Sequence, residues 1–168
     1  MKQKRLFLMS GIPGSGKSTW IQSKIETNGG IWISRDAIRF AVVKEDEEYF
    51  GREDEVFATF ISAIQEQINN PMATDIYVDA THINEKSRNN TLRRLNLEQV
   101  DEKICVFFDI PLEVAYERNL QRTGRAVVPR SAVERMYYGR AFPKKRENFN
   151  HIIVINEMGD EKEVEPNE

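Results

Sequence analysis

Residues 5–19 read Arg5-Leu6-Phe7-Leu8-Met9-Ser10-Gly11-Ile12-Pro13-Gly14-Ser15-Gly16-Lys17-Ser18-Thr19. A short apolar run gives way to Gly-x-x-x-x-Gly-Lys-[Ser/Thr], and a helical pattern follows. Strand, glycine loop and helix in that order are the context in which this spacing cradles phosphate. Glycines let backbone N–H groups approach phosphate oxygens without a Cβ in the way. The helix N-terminus adds partial positive charge. Gly11, Pro13, Gly14, Ser15, Gly16, Lys17, Ser18 and Thr19 are therefore expected to hold a nucleoside triphosphate, with Lys17 on the β- and γ-phosphates and the Ser18 hydroxyl on Mg²⁺. A chance match in a chain of this length is on the order of one per cent.

Working outward, apolar runs at 4–10, 31–34, 75–79, 103–109 and 151–155 alternate with helical patterns at 17–27, 55–69, 85–99, 111–121 and 129–142. The runs are short, β-branched or aromatic, and apolar on both faces, as in a parallel sheet covered on each side. Strand–helix alternation with right-handed crossovers predicts a three-layer α/β/α P-loop NTPase fold, with a five-stranded parallel sheet and a small helical lid. The boundaries are 1–156 for the domain, with the lid near 118–130, and 157–168 for an acidic, frayed tail. Trp20 and Trp32 are expected in the core.

The 168 residues suit one domain. No apolar run approaches the roughly 20 residues of a membrane span. The apolar stretch near the N-terminus is too short for a secretory signal. With Cys105 alone, neither a disulfide framework nor a cysteine-rich zinc site is possible, and a cytoplasmic location is expected. Net charge is −3, but it is segregated. Residues 157–168 carry −5, leaving the rest at +2. Residues 118–146 hold nine Lys or Arg and one acid, and residues 45–55 hold seven acids and one Arg. Local charge of this kind governs partner choice more than the sum does.

In open α/β sheets ligands lie beyond the carboxyl ends of the strands. Two such ends besides the glycine loop carry polar residues. After the second strand comes Ser34-Arg35-Asp36-Ala37-Ile38-Arg39. Asp36 can take a proton from an attacking hydroxyl, with Arg39 on the same helical face holding an anionic part of the acceptor. Position alone equally allows a helix cap with an ion pair. After the third strand comes Asp79-Ala80-Thr81-His82. Asp79 is placed to hold Mg²⁺, with a strand-end turn as its other role. His82 suits a contact or packing position better than a metal. Arg118, Arg122 and Arg125 share a face if their helix continues, and Thr123-Gly124 is a hinge. They read as a lid that closes on the triphosphate, or as a solvated basic face. Tyr137, Tyr138 and Phe142, set among basic residues, suit either base stacking or packing on the sheet.

These blocks resemble the kinase domain of 5′-hydroxyl polynucleotide kinases of the bacteriophage end-repair and bacterial RNA-repair types. GIPGSGKSTW, SRDAIR, YVDATHINEKSR and VFFDIPLEVAYERNLQRTGRAVVP occur in the family's order, over roughly residues 5–155. The resemblance implies ATP and Mg²⁺ as cofactors, Asp36 as general base, and Arg39 on the acceptor's phosphate. It implies Thr81 and His82 near the acceptor, and Arg118, Arg122 and Arg125 on the triphosphate. His82 departs from the family's usual Asn. Relatives often carry a phosphatase or ligase on the same chain, so here such a partner is expected as a separate protein.

The expected function is phosphoryl transfer from ATP to the 5′-hydroxyl end of RNA or DNA, with Lys17, Asp36, Arg118 and Arg122 catalytic. Its rivals are a kinase of a nucleoside or small metabolite, and an ATP-dependent switch. The sequence fixes neither the oligomeric state nor a role for the acidic stretch 44–55.

Overall fold

The first apolar run becomes the centre of the molecule. In the computed structural model, which describes residues 2–124 and 127–168, β1 (Arg5–Ser10) is hydrogen-bonded along both edges. It pairs in parallel with β3 (Asp75–Asp79) on one side and with β4 (Glu102–Phe108) on the other. Outside these lie β2 (Ile31–Ser34) and β5 (His151–Ile155), both parallel to their neighbours. A sixth strand, β6 (Glu161–Glu163), runs antiparallel to β5, so the order is β2-β3-β1-β4-β5-β6.

Side-chain alternation along β1 separates the layers. Leu6 and Leu8 join Ile76 and Val78 on one face, under Phe60, Ile64 and Ile68 of α3 (Glu53–Asn69) and Leu92 of α4 (Glu85–Leu92). Phe7 and Met9 join Tyr77, Ile104 and Val106 on the other, under Trp20 and Ile21 of α1 (Lys17–Asn28). Phe60, Ile64 and Ile68 are fully buried, and each such side chain contributes about 1.5–3 kcal/mol. Between β2 and α3 lies α2 (Arg35–Val42). Between β4 and β5 lie α5 (Leu112–Leu120) and α6 (Arg130–Gly139). A small third cluster of Ile12, Leu112, Ala115 and Val133 packs these last two helices against the glycine loop.

The expected three-layer sheet is present, with several corrections. The sheet has six strands, not five. Asn156 accepts hydrogen bonds from the N–H groups of Met158 and Asp160, Gly159 takes φ 82°, and the acidic segment turns back as β6. Glu161 then accepts from Trp20 Nε1 at 2.8 Å and pairs with Lys24 at 2.6 Å. The helical face expected to carry Asp36 and Arg39 is a separate helix, Arg35–Val42. The helix expected over 85–99 ends at Leu92, because Leu92 and Leu95 turn into the core and the Asn96 N–H bonds to Gln65 Oε1. Trp32 lies on the edge strand and is 38% exposed instead of buried. Among the described residues no helix is long and apolar enough to cross a membrane.

Candidate functional site

Because β1, β2 and β3 run in parallel, their last residues, Ser10, Ser34 and Asp79, lie at one end of the sheet. There the chain surrounds a cavity of about 700 Å³, lined on one side by the glycine loop and on the other by Asp36, Arg39 and Phe50.

The loop is built tightly. At φ 80°, Gly14 lies so close to α5 that a Cβ would sit 2.5 Å from the Ala115 carbonyl oxygen. No side chain caps α1, whose N-cap is Gly16 at φ 96°. The Ser15 hydroxyl is buried and has no hydrogen-bond partner. An uncapped helix N-terminus and an orphaned buried hydroxyl are donors arranged for an anion, so the residues present fit a phosphate. Lys17 Nζ donates to the carbonyls of Gly11 at 2.8 Å and Ile12 at 3.2 Å. Desolvation pulls its pKa down, while Asp79 and Asp36 oppose that shift. Ser18 and Thr19 are exposed toward the cavity.

The opposite wall starts from β2 and α2. Ser34 caps α2 by accepting from the Ala37 N–H at 3.1 Å. Asp36, in the first turn, keeps its side chain 67% exposed and accepts from Arg39 Nη1. Arg39 is buried and extensively paired. Its Nε and Nη2 donate to the two carboxylate oxygens of Glu53 at 2.6 and 3.0 Å, and its guanidinium lies 5.0 Å from the Phe50 ring centre. Hydrogen bonding to Arg39 holds Glu53 below the usual carboxylate range. In this geometry Arg39 braces Asp36. Arg35 shares Glu53 at 3.3 Å, and its Nε is buried without a hydrogen-bond partner.

At the end of β3, Asp79 is buried, and desolvation raises its pKa against the nearby Lys17 charge. The Trp32 indole N–H donates to Asp79 Oδ2 at 3.0 Å. The next residues brace the glycine loop through the backbone: Gly11 N–H donates to Thr81 C=O, and the Ser10 hydroxyl to His82 C=O. His82 takes φ 39°, on the left-handed side where His and Asn are found more often than most residues. The ring is buried. Its Nδ1–H donates to Met9 C=O at 2.9 Å, and Nε2 accepts from the Thr91 hydroxyl at 2.8 Å. Burial pushes its pKa down to about 3, so the ring is neutral. His82 thus lines the cavity wall with both ring nitrogens used inside the protein.

Arg118 and Arg122 reach the cavity from α5 and the residues just past it. The Arg118 guanidinium lies over Gly16 and donates to Glu157 C=O at 2.8 Å. The helix stops at Leu120, so the face expected to run on through Arg125 does not continue. Arg125 itself lies outside the described residues. Among the described residues no group of three or more His, Cys, Asp and Glu side chains is placed to hold a metal ion.

Sequence reasoning missed three features. The Glu53 carboxylate belongs to the acidic run 44–55, to which the sequence alone assigns no role. Phe50 lies in the same run and was not singled out. Arg88 lies fully buried against Glu147, donating at 2.7 and 3.1 Å, and also donates to His82 C=O. Only the mid-helix position of Arg88, next to the third-strand segment, hinted at that role.

A glycine loop joining a central parallel strand to a helix, with lysine and serine turned to one cavity, defines a P-loop fold. The sequence pattern of an AAA domain matches residues 6–143, and the chain belongs to that family. Among solved structures it is similar to a sugar kinase from Janibacter sp. HTCC2649, at 18% identity and TM-score 0.62, covering 94% of this chain and 87% of that one. It is also similar to a chain of the Pnkp1/Rnl/Hen1 RNA repair complex, at 21% identity and TM-score 0.65, covering 82% and 44%. A fungal RNA kinase aligns at 14% identity and TM-score 0.62, over 92% and 75%. The chain shares the fold of P-loop kinases.

Proposed function

We propose that the protein transfers the γ-phosphoryl group of ATP to the 5′-hydroxyl end of RNA or DNA. The observation that carries phosphoryl transfer is the exposed Asp36 carboxylate, which faces the same cavity as Lys17 and Ser18 and is steadied by Arg39. The polynucleotide acceptor is supported by the resemblance of the ordered motif blocks, by the likeness to RNA-repair and RNA-kinase folds, and by the basic stretch 118–146.

In this reading the loop N–H groups and Lys17 bind the triphosphate, and Arg118 and Arg122 offset the charge spread over the transferring group. Mg²⁺, held by the Ser18 hydroxyl and the Asp79 carboxylate, would neutralise phosphate oxygens; these are the hard oxygen donors it prefers. Asp36 accepts the proton of the attacking hydroxyl, and Arg39 fixes that carboxylate's direction. Segment 118–130 acts as the lid.

The test is transfer of labelled γ-phosphate to 5′-hydroxyl RNA, 5′-hydroxyl DNA, nucleosides and sugars, with Lys17→Ala as control. Asp36→Ala is expected to lower kcat by about 10²–10⁴ while the KM for ATP stays near the parent value. Normal turnover in that variant removes Asp36 as the base. A neutral small acceptor is the second reading, and one observation favours it: Glu53 already occupies Arg39, the group expected to grip an acceptor phosphate. Label on nucleosides or sugars alone would select it. ATP hydrolysis without transfer to any acceptor would select a switch.

A further inference from the structure

The wall of the cavity opposite the glycine loop carries an aromatic ledge. Phe50 lines the cavity and is 54% exposed, although a phenylalanine side chain gains by burial. It is held firmly. Tyr49 packs edge-on against it at 4.9 Å between ring centres, and Phe40 packs on Tyr49 at 5.2 Å. The Arg39 guanidinium lies 5.0 Å from the Phe50 ring centre. The same guanidinium donates to Asp36, so a single planar group separates the ring from the candidate base. Phe57, also on this wall, is already covered by the guanidiniums of Arg35 and Arg94 at 4.9 and 5.2 Å.

The charge around the ledge narrows what can rest on it. Residues 45–55 carry seven acids; Glu53 is matched by Arg39 and Arg35, and Glu47 and Glu55 share Arg52, so Glu45, Asp46, Glu48 and Asp54 keep the segment net negative. Such a surround repels phosphate and tolerates an uncharged flat group. In a 5′-hydroxyl end, the part nearest the reacting oxygen that is flat and uncharged is the first nucleobase. The phosphodiester backbone then leaves away from the acids.

Resting on the polynucleotide reading above, we propose that Phe50 is a stacking platform for the nucleobase of the acceptor's 5′-terminal nucleotide, buttressed by Tyr49 and Arg39. The acceptor is thereby oriented with its 5′-hydroxyl toward Asp36. Stacking on a ring accepts every base, so the site selects for the presence of a base and not for its identity.

The test compares two acceptors on the parent protein and its variants. One is a short 5′-hydroxyl oligonucleotide. The other is the same oligonucleotide with an abasic 5′-terminal residue that keeps its hydroxyl. The parent is expected to show a KM for the abasic acceptor about ten- to a hundredfold higher, the range of one stacked base. Phe50→Ala is expected to raise the KM for the intact acceptor by a similar factor and to leave the KM for the abasic one unchanged. Phe50→Trp is expected to restore discrimination, with thermal melting confirming that all variants fold. Equal KM values for the two acceptors in the parent, or an equal loss on both in Phe50→Ala, would overturn the proposal while leaving the kinase reading intact. Transfer to neither oligonucleotide would overturn the polynucleotide reading and the stacking site with it.

Discussion

At the scale of single residues, the clearest consequence of the structure concerns His82. Its ring is buried and neutral, donating through Nδ1 and accepting through Nε2. The folded pKa of about 3 lies below the ordinary 6.5. Below pH 6.5 the unfolded chain takes up a proton that the folded one refuses, so this contribution to stability is complete above pH 6.5 and is lost as pH falls toward 3. Between pH 7.5 and 5 the loss from this residue is about 2 kcal/mol. Urea unfolding at the two pH values should show it, and His82→Asn, which tolerates the same backbone, should show a smaller drop. An equal drop in both proteins would mean that other groups carry the acid sensitivity. Residues of the glycine loop were legible in the sequence because their spacing is itself the mechanism. Asp36 was legible as a candidate because it follows a strand end, although its dependence on Glu53 was not. That carboxylate sits 14 positions along the chain from Arg39, and only folding brings them together. Trp32 was misjudged for the related reason that an aromatic in an apolar run says nothing about whether its strand is central or at the edge.

Among the elements, the five parallel strands were read from their apolar runs and α2 only from the helical face shared by Asp36 and Arg39, whereas β6 was not read at all. Parallel strands buried on both faces leave continuous hydrophobic stretches. An edge strand of Glu161, Lys162 and Glu163 leaves none, and its charges blunt an exposed edge that would otherwise invite further pairing. The α5 helix shows how a polar residue can join two elements. Asn119 is buried, with its Nδ2 donating to Val128 C=O at 2.7 Å and its Oδ1 accepting from Val128 N–H at 3.1 Å. This amide clasp ties the far end of the proposed lid to the helix that carries Arg118. Asn119→Ala leaves both backbone groups of Val128 without it. With about 1 kcal/mol net for each bond, amide exchange at Val128 should quicken by ten- to thirtyfold. The KM for ATP should rise while the melting temperature moves by only a few degrees. Unchanged exchange at Val128 would show that the clasp does not hold the segment closed.

Over the whole molecule, charge is segregated along the chain. Of the acidic segment 45–55, Phe50 and Glu53 line the cavity, and of the basic residues in 118–146, Arg118 and Arg122 line it. Part of that basic charge is already matched, since Arg140 pairs with Asp109 at 3.2 Å and Arg146 with Glu85 at 2.7 Å. With Arg118 and Arg122 assigned to the triphosphate as well, the number of acceptor phosphates it can hold is smaller than its composition suggests, and a salt slope set by roughly two or three of them is expected. Each phosphate held on a single strand contributes about −0.7 to the slope of log affinity against log salt. Raising salt from about 50 to 200 mM at saturating ATP should then raise the KM of an oligonucleotide acceptor about tenfold. A nucleoside acceptor, with no phosphate to release counterions, should respond weakly under the same conditions. Arg135→Ala on exposed α6 should flatten the oligonucleotide slope by up to the contribution of one phosphate. A flat response for the oligonucleotide would mean that the basic face does not meet the acceptor backbone. In that case the Arg39–Glu53 pair would describe the acceptor wall fully, as a site for a neutral molecule, and the excess of arginines would serve the triphosphate alone.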